Sequence, residues 1–170
     1  MKPISTDPAA AAPPARRASL ALSTFLPYRL NVVAQLVAEA LAESYAETFG
    51  LGIPEWRVIA TLGEYDEMTA RDIGRHSRMH KTKVSRAISA LDERGLIDRR
   101  SNEEDRREAF VSLSREGRET YAAIVPIALG FAERLTDGVP QEDLAAFGRV
   151  IEHLMQRCAA LHEEPPAIDQ

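Results

Sequence analysis

Residues 68–114 read MTARDIGRHSRMHKTKVSRAISALDERGLIDRRSNEEDRREAFVSLS, and this stretch decides the fold. Its first half carries apolar residues at helical spacing in two short segments separated by a turn, and Gly95 ends the second segment. Its second half ends in a run where Ala109, Val111 and Leu113 alternate with other residues, as in a half-buried strand. The pattern predicts two helices joined by a tight turn and then a β-hairpin.

Together, these parts predict a winged helix-turn-helix. The second helix, predicted at residues 81–93, places short, hydroxylic and basic side chains outside an apolar stripe. The residues of that stripe are Val84, Ala87, Ile88 and Leu91. Exposed side chains of this kind donate to phosphates and reach base edges in the major groove of DNA. The hairpin would hold Arg100, Arg106 and Arg107 beside this helix, as the wing of the fold.

The positive charge of the chain is concentrated in the same stretch. The whole chain carries −5 at pH 7, which alone disfavours a nucleic-acid partner. Residues 69–107 nevertheless hold eleven Lys or Arg and seven Asp or Glu, a net +4 that leaves −9 on the remainder. A solvated helix face is the alternative interpretation. We favour DNA binding because six of the seven charged residues in 71–86 are basic.

Length and composition predict one compact, mostly helical protein of the cytoplasm. The chain has 170 residues, of which 45% are hydrophobic, enough for a substantial core. No apolar run approaches the roughly 20 residues of a membrane-spanning helix, and no signal peptide is recognisable. The single cysteine excludes an internal disulfide. Residues 1–23 hold four prolines and an alanine run and predict a disordered arm, and residues 163–170 predict a flexible tail.

Further amphipathic helices flank the DNA-binding unit. One is predicted at residues 27–49, and two follow Ser114, with Pro126 expected to kink the first of them. A small winged helix does not need these additional apolar stripes. We therefore expect residues 24–50 and 114–162 to be dimerisation helices on either side of a DNA-binding domain at 51–113. An intramolecular bundle on a monomer is the alternative. The predicted fold class is mainly α with a small β-wing.

The order of these elements resembles the MarR family of bacterial transcription regulators. The motifs that carry the resemblance are KTKVSR at 81–86, LDERGLI at 91–97, and DRR at 105–107 leading to VSLSREG at 111–117. The resemblance covers about residues 26–161. It implies an obligate homodimer that binds a pseudo-palindromic operator in double-stranded DNA and usually represses transcription. A small ligand commonly releases such regulators.

The resemblance also implies roles for individual residues. Asp105 and Arg107 match an ion pair that fixes the shape of the wing, and a charge-assisted pair is physically suited to that task. Residues 81–86 match the major-groove surface, and residues 102–106 match the wing tip that approaches the minor groove. The predicted DNA-binding residues are Arg71, Lys81, Thr82, Lys83, Ser85, Arg86, Arg100, Asn102 and Arg106.

In the family, small molecules lie between the winged helix and the dimer helices. The corresponding residues here are Tyr28, Arg29, Asn31, Val33, Trp56, Arg57, Ala60 and Tyr121. Aromatic rings and guanidinium groups on an apolar wall would suit an aromatic carboxylate or its CoA thioester. Two segments, LPYRLNVVAQ at 26–35 and GIPEWRVIATLGE at 52–64, resemble family members associated with aromatic-acid catabolism. These include members that respond to hydroxycinnamoyl-CoA esters. The alternative interpretation places Trp56 in the core and Arg29 and Arg57 in ordinary surface pairs.

Catalytic and metal-binding signatures are absent from the sequence, so we predict neither an enzyme nor a cofactor. The sequence has no H-E-x-x-H, Walker loop or G-x-S-x-G motif. His76 and His80 are separated by the predicted turn and are expected to cap a helix or face DNA rather than bind metal. Two alternatives stay open. One is a thiol-redox regulator, although burial of Cys158 on the last apolar stripe would blunt its reactivity. The other is a ligand-independent architectural DNA-binding protein.

Overall fold

The computed structural model describes residues 20–102 and 108–163. Two compact units divide the chain, residues 1–39 and residues 40–170. The helices are α1 (Leu26–Glu43), α2 (Ala46–Phe49), α3 (Ile53–Tyr65), α4 (Ala70–Ser77), α5 (Lys81–Glu93), α6 (Arg115–Leu135) and α7 (Gln141–Glu163). The strands are β1 (Glu67–Thr69), β2 (Ile97–Ser101) and β3 (Ala109–Leu113). This mainly helical fold with a small antiparallel sheet confirms the predicted winged helix-turn-helix.

Helices α4 and α5 form the helix-turn-helix, and local side chains set its ends. Thr69 precedes the first residue of α4, a position that favours a capping hydroxyl, and its hydroxyl accepts a hydrogen bond from the Asp72 amide at 3.2 Å. Arg78 ends α4 in the left-handed conformation, with φ of 53°. His80 Nδ1 accepts from the Thr82 amide at 3.3 Å and caps α5, one of the two roles expected for it.

The wing is part of a three-stranded antiparallel sheet with the order β1-β3-β2. Met68 of β1 lies opposite Val111 of β3, and Ile97 of β2 lies opposite Leu113. Sequence reasoning missed β1, because a strand of three residues is too short to display an alternating pattern. The strand exists because β3 offers it a partner edge.

The core of the second unit joins α3, α4 and α5 to the sheet and to α6. Its buried apolar residues are Tyr45, Leu51, Val58, Ile59, Leu62, Ile73, Val84, Ala87, Ile88, Leu91, Leu96, Ile97, Val111, Leu113 and Ile124. The first turn of helix α6 packs against this core. Ser114 directly precedes α6 and caps it by accepting a hydrogen bond from the Gly117 amide at 3.0 Å. A Cβ at Gly117 would lie 1.9 Å from the Leu96 carbonyl oxygen, so only glycine permits this approach.

The structure corrects two features of the predicted helices. The helix expected at 27–49 is broken between α1 and α2, where Tyr45 leaves helical geometry with φ of −128° and ψ of −22°. Tyr45 is fully buried beside Trp56, so packing of its ring outweighs the continuity of the helix. Apolar residues three apart, such as Ala70 and Ile73, are predicted to point inward from one helix face, but Ala70 is exposed and only Ile73 is buried in α4.

Helix α7 has no fully buried residue between positions 141 and 162. Phe147 and Met155 are 57% and 63% exposed, although both belong to an apolar helix face. Cys158 is likewise exposed, which corrects the predicted burial of its thiol. The expectation assumed that another element covers this stripe, and within one chain the described residues leave it open.

Candidate nucleic-acid interface

Helix α5 presents the polar surface expected from its sequence. Val84, Ala87, Ile88 and Leu91 are its buried residues, as predicted. Because these four hold one side of the helix against the core, the opposite side is exposed over its first two turns. The exposed residues on that side are Lys81, Thr82, Lys83, Ser85 and Arg86. The surface is therefore a row of hydrogen-bond donors on a rigid helix.

The electrostatics of this surface favour an anion. In the described part of the chain, no carboxylate forms an ion pair with Lys81, Lys83 or Arg86. Lys81, Thr82 and Lys83 lie in the first turn of α5, where the helix dipole adds positive potential. The charge of all three basic side chains is thus available to a phosphate backbone.

A groove of about 800 Å³ runs beside α5, between α4 and the wing. Arg71, Arg75, Lys81 and Arg99 supply its positive charge. Met79, Ile88 and Val111 contribute apolar surface to the same groove. The helix-turn-helix and the wing thus share a concave basic surface.

Around the wing, the arginines are paired with carboxylates of other elements. Arg71 of α4 contacts Glu108, which precedes β3, at 2.7 Å, and its side chain stays 71% exposed. Arg99 of β2 contacts Asp92 of α5 at 2.8 Å. These pairs stabilise the junction of helix and wing. Among the described residues, the basic side chains near α5 therefore differ, because Arg71 and Arg99 are held in ion pairs and those on the exposed face of α5 are not.

The last predicted DNA-binding residues belong to the wing. Arg100 is bound by Glu67 of β1 through both carboxylate oxygens. The backbone N–H of Asn102 donates to the backbone carbonyl oxygen of Glu108 at 3.4 Å, just beyond the paired residues of β2 and β3. Asp105, Arg106 and Arg107 lie outside the described residues.

Half of the predicted effector residues gather near an aromatic cluster in the second unit. Trp56 lies 5.6 Å from Tyr45 and 6.3 Å from Tyr121 between ring centroids, and its ring is stacked on Tyr121. Trp56 is half-buried and packs against the core, Ala60 is half-buried, and Arg57 is exposed. We name Tyr45, Trp56 and Tyr121 the aromatic cluster.

The ionisation of Tyr45 reflects its place in this cluster. Burial raises the pKa of Tyr45 to about 12, because the phenolate would lose its hydration. The positive charge of Arg57 opposes that increase and the negative charge of Glu55 adds to it. The positive charge of Arg57 therefore acts electrostatically on Tyr45 of this cluster.

The other predicted effector residues belong to the first unit. Tyr28, Arg29, Asn31 and Val33 lie within the first two turns or so of α1, and all four are exposed. Val33 is 54% exposed, so the face of α1 predicted as buried is open in this unit.

A smaller cavity of about 410 Å³ lies beside Tyr121. Arg118 and Asp66 line it, and the Arg118 guanidinium donates to the Leu113 carbonyl oxygen at 2.5 Å. Sequence reasoning missed both residues, since neither lies in a motif that marks a binding site. Tyr121 also covers Gly63, where a Cβ would lie 2.5 Å from the ring.

The described part of the chain holds neither a cluster of metal ligands nor a membrane-spanning helix. There, no group of three or more His, Cys, Asp or Glu side chains could hold a metal ion. His76 instead packs its ring against Tyr65, at 4.5 Å between centroids. None of the described helices combines the length and apolar character needed to cross a membrane.

Comparison with protein families gives a match over the helix-turn-helix and wing. A family model described as "MarR family" matches residues 49–108. An uncharacterized HTH-type transcriptional regulator of Bacillus subtilis, YwoH, is 32% identical over 130 residues. That alignment covers 76% of this chain and 93% of YwoH.

Two solved structures share the fold. CouR from Rhodococcus jostii RHA1, bound to p-coumaroyl-CoA, has a TM-score of 0.67 and 20% identity, covering 80% of this chain and 95% of CouR. Bordetella bronchiseptica BpsR, whose DNA binding is regulated by 6-hydroxynicotinic acid, has a TM-score of 0.71 and 17% identity. The alignment covers 81% of this chain and 98% of BpsR. At these identities the likeness establishes the fold.

Proposed function

The chain belongs to the MarR family of DNA-binding transcriptional regulators, and on that premise we propose that it is a homodimeric repressor released by a small aromatic acid or its CoA thioester. The observation that carries the DNA-binding part is the exposed face of α5. Its five polar and basic residues lie on the side of α5 opposite the buried apolar stripe. Because that stripe fixes the helix to the core, the exposed face is rigid and suited to a major groove. The proposal includes no enzymatic activity and places the protein in the cytoplasm with its DNA.

Within this proposal, the DNA contacts divide by element. Lys81, Thr82, Lys83, Ser85 and Arg86 enter the major groove, and Arg71 approaches the flanking backbone. Asn102 and Arg106 reach the neighbouring minor groove from the wing, whose shape Asp105 and Arg107 maintain. The groove of about 800 Å³ beside α5 supports the arrangement, because its basic lining continues the charge of the helix toward the wing.

Exposed apolar side chains support the homodimer. They recur on α1, α6 and α7 and include Val33, Leu36, Leu129, Leu135, Phe147, Val150, Met155 and Leu161. Large exposed apolar patches mark interaction surfaces, so each of these helices offers side chains that a partner could cover. We therefore assign residues 24–50 and 114–162 to the interface with a second copy. Two-fold symmetry would then match a pseudo-palindromic operator, one half-site for each protomer.

The aromatic effector is supported by the chemistry of the predicted residues. Trp56 and Tyr121 offer ring surface for stacking, and the Arg57 guanidinium is exposed for an anion. CouR is bound to p-coumaroyl-CoA, an aromatic thioester, and the DNA binding of BpsR is regulated by 6-hydroxynicotinic acid, an aromatic acid. The proposed effector-binding residues also include Ala60 of α3 and, on α1, Tyr28, Arg29, Asn31 and Val33.

The test of this function is DNA binding measured by fluorescence anisotropy. The probe is a labelled duplex of the intergenic DNA upstream of this gene, titrated against a scrambled duplex at several salt concentrations. We expect tight, salt-sensitive binding that p-coumaroyl-CoA, 6-hydroxynicotinic acid or a related aromatic acid relieves. Equal affinity for both duplexes would instead indicate an architectural protein, and a failure of every aromatic compound would refute the effector class.

Effector binding has its own readout, because Trp56 is the only tryptophan of the chain. A compound that stacks near the aromatic cluster should change the fluorescence of Trp56 at the same concentration at which it releases DNA. Arg57→Gln should weaken release by carboxylates and thioesters while leaving affinity for DNA unchanged. Arg115→Gln is the matched control, since that arginine is exposed on α6 and pairs with Glu119.

A thiol-responsive regulator is the second candidate, and the exposure of Cys158 favours it. An accessible thiol can be oxidised, whereas a buried one is protected. Peroxide should then release DNA from the wild-type protein and not from Cys158→Ser. Equal responses of the two proteins would eliminate this candidate.

A further inference from the structure

Arg100 spans the sheet of the wing from one edge to the other. It lies on β2 opposite Phe110 of β3, whereas Glu67 lies on β1 opposite Ser112. Phe110 and Ser112 are two residues apart, so they and their cross-strand partners share one face of the sheet. The Arg100 Nε lies 3.1 Å from Glu67 Oε1, and its Nη2 lies 2.6 Å from Oε2.

The geometry of this contact is specific to arginine. Strands β1 and β2 are separated by β3, and two strand spacings amount to roughly 9–10 Å. A long side chain must therefore lie flat across the middle strand to join them. The Arg100 guanidinium does so over Phe110, with Cζ 4.6 Å from the ring centroid, and meets the carboxylate with two parallel hydrogen bonds.

From this geometry we infer that Arg100 positions the wing and does not contact DNA. With Glu67 and Phe110 it forms a clamp, which we name the wing clamp, that ties β2 to β1 across β3. Strand β1 leads directly into α4, so the clamp fixes the hairpin relative to the helix-turn-helix before DNA arrives. The inference rests on the proposed DNA-binding function and changes the role that sequence reasoning gave to Arg100.

Two further observations support the wing clamp. Hydrogen bonding to Arg100 lowers the pKa of Glu67, so the carboxylate is charged wherever the protein is expected to act. Arg71 of α4 contacts Glu108 at 2.7 Å, and this second ion pair joins the helix-turn-helix to the wing near the start of β3. A wing ordered by both contacts before binding loses less conformational freedom on DNA.

The two roles of Arg100 predict opposite effects of Glu67→Gln. If Arg100 contacts phosphate, removal of a competing carboxylate strengthens binding. If it positions the wing, the same change loosens the hairpin and weakens binding, which we expect to be about threefold to tenfold for an exposed bidentate pair over a ring. The measurement is anisotropy with the upstream duplex, and stronger binding by Glu67→Gln overturns the inference.

The salt dependence separates the roles a second time. Arg100→Gln should weaken binding with no change in the slope of log affinity against log salt, because no phosphate contact is lost. Lys83→Gln is the matched control and should reduce that slope by about one. A reduced slope in Arg100→Gln would show a phosphate contact and overturn the inference.

Charge reversal tests whether the pair itself is what matters. Each of Glu67→Arg and Arg100→Glu should weaken binding, and the double variant E67R/R100E should regain most of the loss because the cross-sheet pair is restored. A double variant no better than Arg100→Glu overturns the clamp. Thermal unfolding of each protein verifies that all of them are folded.

Hydrogen exchange reads the clamp without DNA. Amides of β2 and β3 should exchange faster in both Glu67→Gln and Arg100→Gln, and E67R/R100E should restore protection. Exchange unchanged in the two single variants overturns the clamp, whatever the DNA result. If the variants show this exchange pattern but the wild-type protein binds no DNA, the proposed function is overturned and the clamp is not. The two failures are therefore distinguishable.

Discussion

Single side chains of α5 set the affinity and specificity expected of this protein for DNA. Lys81 lies at the start of the helix, where we expect its ammonium to reach a phosphate, and Arg86 lies more than a turn further on. An ammonium acts as a point charge, whereas a guanidinium can pair with guanine through two hydrogen bonds. The two residues should therefore respond differently to truncation, although both are exposed and basic.

We expect Lys81→Ala to weaken binding to operator and scrambled duplexes alike and to lower the salt slope by about one, because one phosphate contact is lost. Arg86→Ala should also reduce discrimination between the two duplexes, by about 1–3 kcal/mol. Anisotropy titrations with both duplexes measure each quantity. Full discrimination by Arg86→Ala would refute its assignment to a base edge.

Tyr45 makes the stability of the folded protein depend on pH in the alkaline range. Burial raises its pKa from 10.0 to about 12, so it stays neutral in the folded protein at a pH where the unfolded chain already ionises it. Its contribution to stability is complete below pH 10 and is lost as the pH rises toward 12. The cause is desolvation of the phenolate, since the ring is only 1% exposed.

Tyr45→Phe should remove this contribution to the pH dependence. The free energy of unfolding of the variant should fall less steeply above pH 10 than that of the wild-type protein. Denaturant unfolding of both proteins across this range provides the comparison and cancels the titration of other groups. Parallel curves would mean that Tyr45 ionises normally in the folded state.

Among the elements, contacts between helix ends position helix α5. Its C-cap residue Arg94 donates to the carbonyl oxygens of Phe49 at 2.7 Å and Gly50 at 2.8 Å. Gly50 ends α2 in the left-handed conformation, with φ of 60°, and its carbonyl would otherwise depend on water. One guanidinium therefore joins the end of α5 to the end of α2, next to the break at Tyr45.

Arg94→Ala should lower the free energy of unfolding by about 1–2 kcal/mol, because two charge-assisted hydrogen bonds to a helix terminus are lost at an exposed position. Arg94→Lys should recover only part of it, since an ammonium cannot reproduce the planar fork. Arg115→Ala provides the control, because its exposed pair with Glu119 contributes little. Equal stability of Arg94→Ala and the wild-type protein would rule out a bracing role.

At the scale of the whole molecule, the apolar surface outside the core predicts association. Helix α7 exposes Phe147, Val150, Met155 and Leu161. A helix face of this kind gains stability when a second copy removes it from water, by roughly 25 cal/mol for each Å² buried. A dimer would also place two copies of α5 on successive major grooves of one DNA duplex.

Phe147→Glu should convert a dimer to a monomer. The side chain is 57% exposed in one chain, so a carboxylate there is tolerated, whereas its burial in an interface costs on the order of several kcal/mol. Sedimentation equilibrium gives the mass, with Arg149→Gln on the same helix as control. A wild-type protein of monomer mass would refute the dimer.

The local features of this protein could be predicted from its residues alone. The caps at Thr69 and Ser114 and the buried stripe of α5 follow from residues a few positions apart. The exposed face of α5 follows from the same stripe, because a helix that buries one side presents the other. Patterns of this kind are legible in the sequence, since neighbours along the chain are neighbours in a helix.

Partners that are distant along the chain became evident only in the folded protein. Arg100 and Glu67 are 33 residues apart, and the strand that carries Glu67 exists only because β3 pairs with it. The break before α2 likewise depends on where the core receives Tyr45. Ion pairs and packing act through space, so a basic residue that resembles a DNA contact in the sequence can be bound within the wing once the chain folds.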